Sequence, residues 1–165
     1  MNDQIELEAY ASFLYLSMAS WCDEQGMEGS THFFYRQSAE ESDHMMRIFR
    51  YILEMDGKAI VPAVKKPPAS FKSIQQLFKD VYAHEQKVTK SINDLVDLSY
   101  KENDHSTHNF LQWYVTEQRE EEALMRSILD KVNLIGDGPQ SLYFIDKEII
   151  DVNTQLGTAP DQGAA

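Results

Sequence analysis

The residues that could carry chemistry centre on a Glu-x-x-His motif in the middle of a long helical pattern. Glu41 and His44 are three residues apart, so on a helix they share one face, with Cβ atoms ~5–6 Å apart. A buried carboxylate or imidazole is costly unless it is paired or binds a metal. The motif therefore predicts partners on other elements, since the rest of its face is an apolar stripe with helical spacing: Phe34, Ser38, Met45, Ile48, Ile52 and Met55.

Three further helical patterns also place polar side chains in the middle of an apolar stripe. These side chains are Glu8, Glu85, and Gln118 with Glu121. Facing carboxylates in a core repel one another, and without compensation they protonate or disrupt the fold. A pair of cations would remove the conflict, and carboxylates with one imidazole suit iron or manganese. Because bundle-core carboxylates with Glu-x-x-His can hold two irons, we predict a two-metal site.

Four long helical patterns and a short fifth one position these residues. The patterns cover about 2–26, 31–56, 73–103, 106–134 and 139–152. Three prolines exclude a continuous helix between residues 58 and 72. About 15 extended residues reach ~50 Å, more than the ~39 Å of a helix of about 26 residues. The sequence therefore predicts an all-α four-helix bundle with one long crossover and a short C-terminal helix.

Local signals predict where several of these helices begin and end. Ser30 is a candidate N-cap for the second helix, and Ser73 with Gln76 has the form of a capping box at the third. Gly26 suits the left-handed residue at the end of the first helix. We expect one domain over residues 1–156, followed by a mobile tail over residues 157–165.

Composition narrows the classes of partner and the cellular location. The formal net charge is −12, from 27 acidic residues against 15 Lys and Arg, which disfavours nucleic acid or an anionic membrane and favours cations. Cys22 is the only cysteine, so an intrachain disulfide is excluded and a reducing compartment is natural. No apolar run approaches the ~20 residues that a membrane span needs. We therefore predict a cytoplasmic protein without nucleic-acid or membrane partners.

Motifs along nearly the whole chain, from residue 2 to about residue 156, together identify a resemblance to a known family. They are Leu7-Glu8-Ala9-Tyr10, Tyr15, Glu40-Glu41-Ser42-Asp43-His44, His84-Glu85-Gln86, Asn109-Phe110-Leu111-Gln112-Trp113-Tyr114-Val115, Glu117-Gln118-Arg119-Glu120-Glu121 and Leu142-Tyr143-Phe144-Ile145-Asp146-Lys147-Glu148. With these motifs the chain resembles the non-haem bacterial ferritins, whose fold is the ferritin-like bundle.

The resemblance implies a ferroxidase centre that oxidises Fe(II) to Fe(III) with dioxygen or hydrogen peroxide. It implies iron storage and detoxification, with ferric mineral kept inside a shell of 24 subunits. The first iron would be held by Glu8, Glu41 and His44. Glu41 would bridge to a second iron held by Glu85, with Gln118 and Glu121 nearby. A third, inner-surface iron site would use Glu40, Glu117 and Glu120, and Tyr15 would lie beside the centre.

Some features leave other interpretations open. Where haem-containing bacterioferritins have a second Glu-x-x-His, this chain has Gln118-x-x-Glu121, which predicts a weaker second site suited to transit. Glu117, Glu120 and Glu122 could instead form a solvated acidic face, and Trp113 could pack or donate an electron. Two other functions also remain: a soluble di-iron oxidase or peroxidase that stores no iron, and a metal-free helical scaffold whose core polar groups are hydrogen-bonded locally.

Overall fold

The structure, a computed structural model, describes residues 1–158. This part of the chain contains five α-helices. The helices are α1 (Asn2–Glu24), α2 (Glu28–Glu54), α3 (Ile74–Lys101), α4 (His105–Ile135) and α5 (Ser141–Thr158). Helix α1 packs mainly on α2, α3 packs mainly on α4, and α5 lies against α2 and α4. The predicted all-α bundle with a fifth helix is confirmed.

The non-helical segment over residues 55–73 is the predicted crossover, and it runs along α1. Near its start, the backbone N–H of Ile60 donates to Asn2 Oδ1 at 3.0 Å. Near its end, Ser17 Oγ donates to the carbonyl oxygen of Pro68 at 2.5 Å. The segment therefore follows α1 from its first residue toward its C-terminus. It delivers the chain to the end of the bundle at which α2 also begins.

Two predicted helix starts have different outcomes. Ser73 Oγ accepts a hydrogen bond from the backbone N–H of Gln76 at 3.1 Å, which confirms Ser73 as the N-cap of α3. The prediction for Ser30 is wrong, because α2 begins at Glu28. Ser30 lies inside the first turn, where its backbone N–H donates to Asp146 Oδ1 at 2.7 Å. A carboxylate from another helix therefore satisfies this helix start.

Helix α5 differs from its predicted bounds at both ends. It begins at Ser141, two residues after Pro139, and it continues to Thr158 rather than ending near Val152. The first two residues of the expected mobile tail, 157 and 158, are thus helical. Residues 159–165 of that tail lie outside the described residues. The boundary of the domain at residue 156 stays a prediction.

Asp146 connects α5 to the start of α2 through hydrogen bonds. Its Oδ2 accepts from the backbone N–H of Gly29 at 3.0 Å, and its Oδ1 accepts from Ser30 Oγ at 2.8 Å. Gly29 permits this close approach: a Cβ at this position would lie 2.5 Å from Ile150 Cγ1. An acidic side chain at a helix N-terminus also interacts favourably with the helix dipole. The α2–α5 contact is therefore specific.

The apolar core of the bundle consists of two clusters. One includes Tyr15, Phe34, Phe78 and Met125, and the other includes Ile5, Ile48, Val88 and Tyr114. On each of α1 to α4 the ligand-type residues predicted from the sequence fall between members of the two clusters, as Glu85 does between Val81 and Val88. This arrangement creates a polar layer across the bundle. Among the residues that the structure describes, none of the helices combines the length and hydropathy needed to span a bilayer.

Candidate metal centre

Glu8, Glu41 and His44 form a compact group of ligand-type side chains in the polar layer. One ligand atom from each lies within 4.8 Å of the other two. Helix α1 supplies Glu8, and α2 supplies Glu41 and His44 from the same face one turn apart. His44 Nδ1 lies 3.6 Å from Glu41 Oε2. All three residues are at least 94% buried, with exposed fractions of 1%, 4% and 6%.

Three carboxylate oxygens of the layer lack hydrogen-bond partners within the described residues. They are Oε2 of Glu8, Glu41 and Glu121, and each is fully shielded from solvent. Buried polar atoms in folded proteins are normally paired, so unpaired atoms require an explanation. Carboxylate oxygens beside one imidazole are the donor set that hard and borderline cations such as Fe(II) prefer. The residues present therefore fit a cation site.

Glu85 is the centre of the other half of the polar layer. Tyr15 donates its hydroxyl hydrogen to Glu85 Oε1, and Gln118 Nε2 donates to Glu85 Oε2 at 3.2 Å. In this arrangement Gln118 presents its N–H₂ group to the carboxylate. To become the predicted ligand it would turn its carbonyl oxygen inward, a rotation about a terminal torsion that is soft and roughly two-fold. Glu121 lies buried on the same helix face, three residues later.

Burial raises the pKa of every carboxyl group in the layer. The pKa of Glu85 rises to about 7, because of burial first and then the charge of Glu8. The pKa of Glu121 rises to about 8, because of burial and the charge of Glu85. The pKa values of Glu8 and Glu41 are also well above their ordinary value, because of burial first and then the charge of Glu41 on Glu8 and of Glu85 on Glu41. Protons thus compete with cations for these oxygens.

Two aromatic residues outside the predicted ligand set contact His44, and an arginine packs on one of them. The hydroxyl of Tyr114 donates to the His44 carbonyl oxygen at 2.7 Å, and the ring of Trp113 meets the imidazole edge-on at 5.3 Å. The guanidinium of Arg47 lies 4.2 Å from the Trp113 ring centre. Trp113 therefore packs on a candidate ligand, whereas its role as an electron donor stays a prediction.

The residues of the predicted third iron site lie toward the surface, and the structure brings one of them to the centre. Glu117 Oε1 is 3.7 Å from His44 Nε2. Glu40 lies 3.4 Å from Arg36 Nε, and Glu120 lies 3.7 Å from an Arg119 guanidinium nitrogen on an exposed face. The position of Glu120 thus agrees with the alternative interpretation, in which this residue belongs to a solvated acidic face. The third site stays a prediction.

Gln4 and Ser91 are buried or half-buried contacts of the centre that the sequence interpretation missed. Gln4 Nε2 donates to Glu8 Oε1 at 2.8 Å, and Ser91 Oγ donates to Gln4 Oε1 at 2.6 Å. A signal for Gln4 was present, since it precedes Glu8 by four residues and so shares its helix face. Ser91 gave no such signal, because it lies 87 residues away from Gln4 in the chain.

The fold and the polar layer together define a class of protein: a helical bundle with a buried carboxylate–imidazole group in its core that fits a cation. The ferritin-like domain family matches residues 1–135, and the chain belongs to this family. This confirms the resemblance that the motifs carried.

Relatives and solved structures agree with this assignment over nearly the whole chain. A bacterial non-heme ferritin of Campylobacter jejuni is 47% identical over 152 residues, covering 92% of this chain and 91% of the relative. A probable bacterial non-heme ferritin-like protein of Haemophilus influenzae is 44% identical, covering 94% of both chains. An open pore ferritin from the archaeon Archaeoglobus fulgidus superposes with a TM-score of 0.87 at 44% identity, covering 90% of this chain and 92% of that one.

Proposed function

We propose that this chain is an iron-storage and detoxification protein that oxidises Fe(II) to Fe(III) at an intrasubunit ferroxidase centre. The observation that carries the proposal is the buried group of Glu8, Glu41 and His44, in which each carboxylate has one oxygen without a hydrogen-bond partner among the described residues. A metal-free scaffold would satisfy such atoms locally, as Gln4 does for one oxygen of Glu8. Both the family and the relatives support the proposal.

In this proposal each half of the polar layer binds one Fe(II) ion as substrate. Glu8, Glu41 and His44 hold the first, and Glu41 also reaches the second. The second ion is held by Glu85 and Glu121, with the Gln118 amide as a neutral and therefore weaker ligand. Because the carboxyl groups have raised pKa values, binding of Fe(II) displaces protons. The bound carboxylates then stabilise the higher positive charge of Fe(III).

The redox step balances with two irons per centre. Each Fe(II) gives up one electron, and one dioxygen takes up two electrons and two protons to become hydrogen peroxide. With hydrogen peroxide as oxidant, two electrons and two protons yield two waters. Tyr15 keeps its proton, because burial and the charge of Glu85 raise its pKa, so it continues to donate to Glu85 while iron binds and leaves.

The ferric product leaves toward the acidic surface beside the centre. In this proposal Glu117 receives it, since its Oε1 lies 3.7 Å from His44 Nε2 and its side chain is about a quarter exposed. Glu40 and Glu120, whose charges act on Glu117, complete the proposed third iron site. A weak second site helps storage, because a tightly held product would block the next pair of Fe(II) ions.

Storage requires a closed shell, and the surface of the chain favours self-association. Large exposed apolar patches on soluble proteins often mark interaction sites. Exposed apolar residues occur along α1, on the crossover and on α5, among them Phe13, Leu16, Val61, Tyr143 and Phe144. We propose that they contribute to a shell of 24 subunits in the cytoplasm. The free, buried thiol of Cys22 is consistent with a reducing compartment.

Initial Fe(II) oxidation by a double variant, Glu41→Ala with His44→Ala, tests the site assignment. We expect the rapid phase to disappear, because the shared carboxylate and the only imidazole of the group are both removed. Asp43→Ala is the matched control, since this acid lies on the same helix but faces solvent, and it should oxidise Fe(II) at the wild-type rate. Equal initial rates for the double variant and the wild type would refute the assignment.

A further inference from the structure

Gln4 connects two helices of the bundle directly beside the candidate centre. It lies on α1 one turn before Glu8 and is 1% exposed. Its Nε2 donates to Glu8 Oε1 at 2.8 Å, while its Oε1 accepts from Ser91 Oγ on α3 at 2.6 Å. The hydrogen-bond chain therefore runs from α3 through Gln4 to a candidate ligand on α1.

This chain restricts Glu8 in two ways. The amide N–H occupies Oε1, whereas Oε2 is buried without a hydrogen-bond partner among the described residues. The amide is a dipole without net charge, so it fixes the position of the carboxylate and leaves its full negative charge for a cation. The hydroxyl of Ser91 donates to the amide oxygen and so holds it on the side of α3, which leaves the N–H₂ group facing Glu8.

We propose that Gln4, held by Ser91, is a positioning residue that presents Glu8 to the first metal ion through one oxygen and thereby sets the affinity of that site. The inference rests on the proposed function, because it concerns the same metal centre. Groups that hydrogen-bond to metal ligands typically change metal affinity by about 10- to 100-fold when they are removed. Gln4 stands in this relation to Glu8, and Ser91 acts on Glu8 through its hydrogen bond to Gln4.

Co(II) titration of the metal-free protein, followed by calorimetry and visible absorption, tests the inference without any oxidation. Gln4→Met keeps a side chain of similar length and removes the amide, and it should weaken one Co(II) binding event per chain by about 10- to 100-fold. The Co(II) absorption bands of that event should shift as Glu8 changes its orientation. Ser91→Ala should weaken the same event by a smaller factor, while the second event keeps its affinity.

Gln76→Met is the matched control. Gln76 makes the same kind of bond, from Nε2 to the carboxylate of Asp80 four residues later at 2.8 Å, on an exposed face away from the centre. The Gln76→Met variant should bind Co(II) with the same affinity as the wild type. A wild type that binds no Co(II) would overturn the proposed function itself.

Wild-type affinity and spectrum in both Gln4→Met and Ser91→Ala would overturn the inference alone. A lower melting temperature of Gln4→Met without any change in Co(II) binding would also overturn it, because Gln4 would then only pack. If Gln4→Met does not fold, Ser91→Ala decides, since it removes a single hydroxyl from a half-buried helix position. In that case, an unchanged Co(II) affinity of Ser91→Ala would refute the proposed role of the hydrogen-bond chain from Ser91 through Gln4 to Glu8.

Discussion

The metal-free protein should lose stability as the pH rises through neutrality, and Glu121→Gln should remove part of that loss. Burial raises the pKa of Glu121 from 4.5 to about 8, so the unfolded chain ionises at a lower pH than the folded one. Between these two values the folded state binds more protons, and its stability therefore falls with increasing pH. The contribution is fully present below pH 4.5 and is lost as the pH rises through about 8.

The expected size follows from the same values. One pKa step corresponds to about 1.4 kcal/mol, so the interval from pH 6.5 to 8 accounts for about 2 kcal/mol at Glu121. Burial lowers the pKa of His84 to about 4, whereas an unfolded histidine, with a pKa near 6.5, still loses its remaining protons over the first part of this interval. Both proteins contain His84, so its contribution cancels when the wild type is compared with Glu121→Gln. The substitution to Gln keeps the shape of the side chain and removes its ionisation.

Thermal unfolding of both metal-free proteins from pH 6.5 to 8.5 is the assay. The wild type should become less stable relative to Glu121→Gln as the pH rises, and the difference should level off above about pH 8. Loading with Co(II) should flatten the wild-type profile, since the cations replace the protons. Parallel melting profiles for the two metal-free proteins would refute the reasoning that a buried acidic layer opposes folding.

Two further predictions concern the helix ends. Gly29→Ala should loosen α5 at a cost of about 1–3 kcal/mol, because the new Cβ would lie 2.6 Å from a backbone oxygen of α5. Hydrogen exchange of α5 amides measures this, and Gly138→Ala, with nothing within 4 Å, should leave exchange unchanged. Ser73→Ala should lower the free energy of unfolding by about 1 kcal/mol in denaturant titration, and an equal denaturation midpoint would contradict its role as N-cap.

Much of the fold could be predicted because its signals are local. The helical spacing of the apolar stripes, the prolines of the crossover and the Ser73 cap each act within a few residues. The start of α2 could not be predicted in this way. Its capping group is Asp146, 116 residues after Ser30, so the local pattern predicts a serine cap where a distant carboxylate is the true partner.

In the candidate site, too, the features that depend on local spacing could be predicted and those that depend on contacts between helices could not. Glu41 and His44 share a helix face by their spacing alone, and the other helices supply carboxylates at matching depths. The orientation of these groups depends on contacts between helices, such as those from Tyr15 and Gln118 to Glu85. A single chain pattern does not contain such contacts. It also does not show which acids stay paired at the surface, as Glu120 does with Arg119.

Iron loading followed by sizing chromatography tests the central claim most directly. Metal-free protein is loaded with Fe(II) without oxygen, oxygen is then admitted, and absorbance and the iron in each size fraction are measured. We predict rapid oxidation of about two irons per chain, matching the two halves of the polar layer, and then retention of much more ferric iron in a shell-sized particle. Oxidation that stops at two irons on a small oligomer would contradict storage and would make the chain a di-iron oxidase or peroxidase.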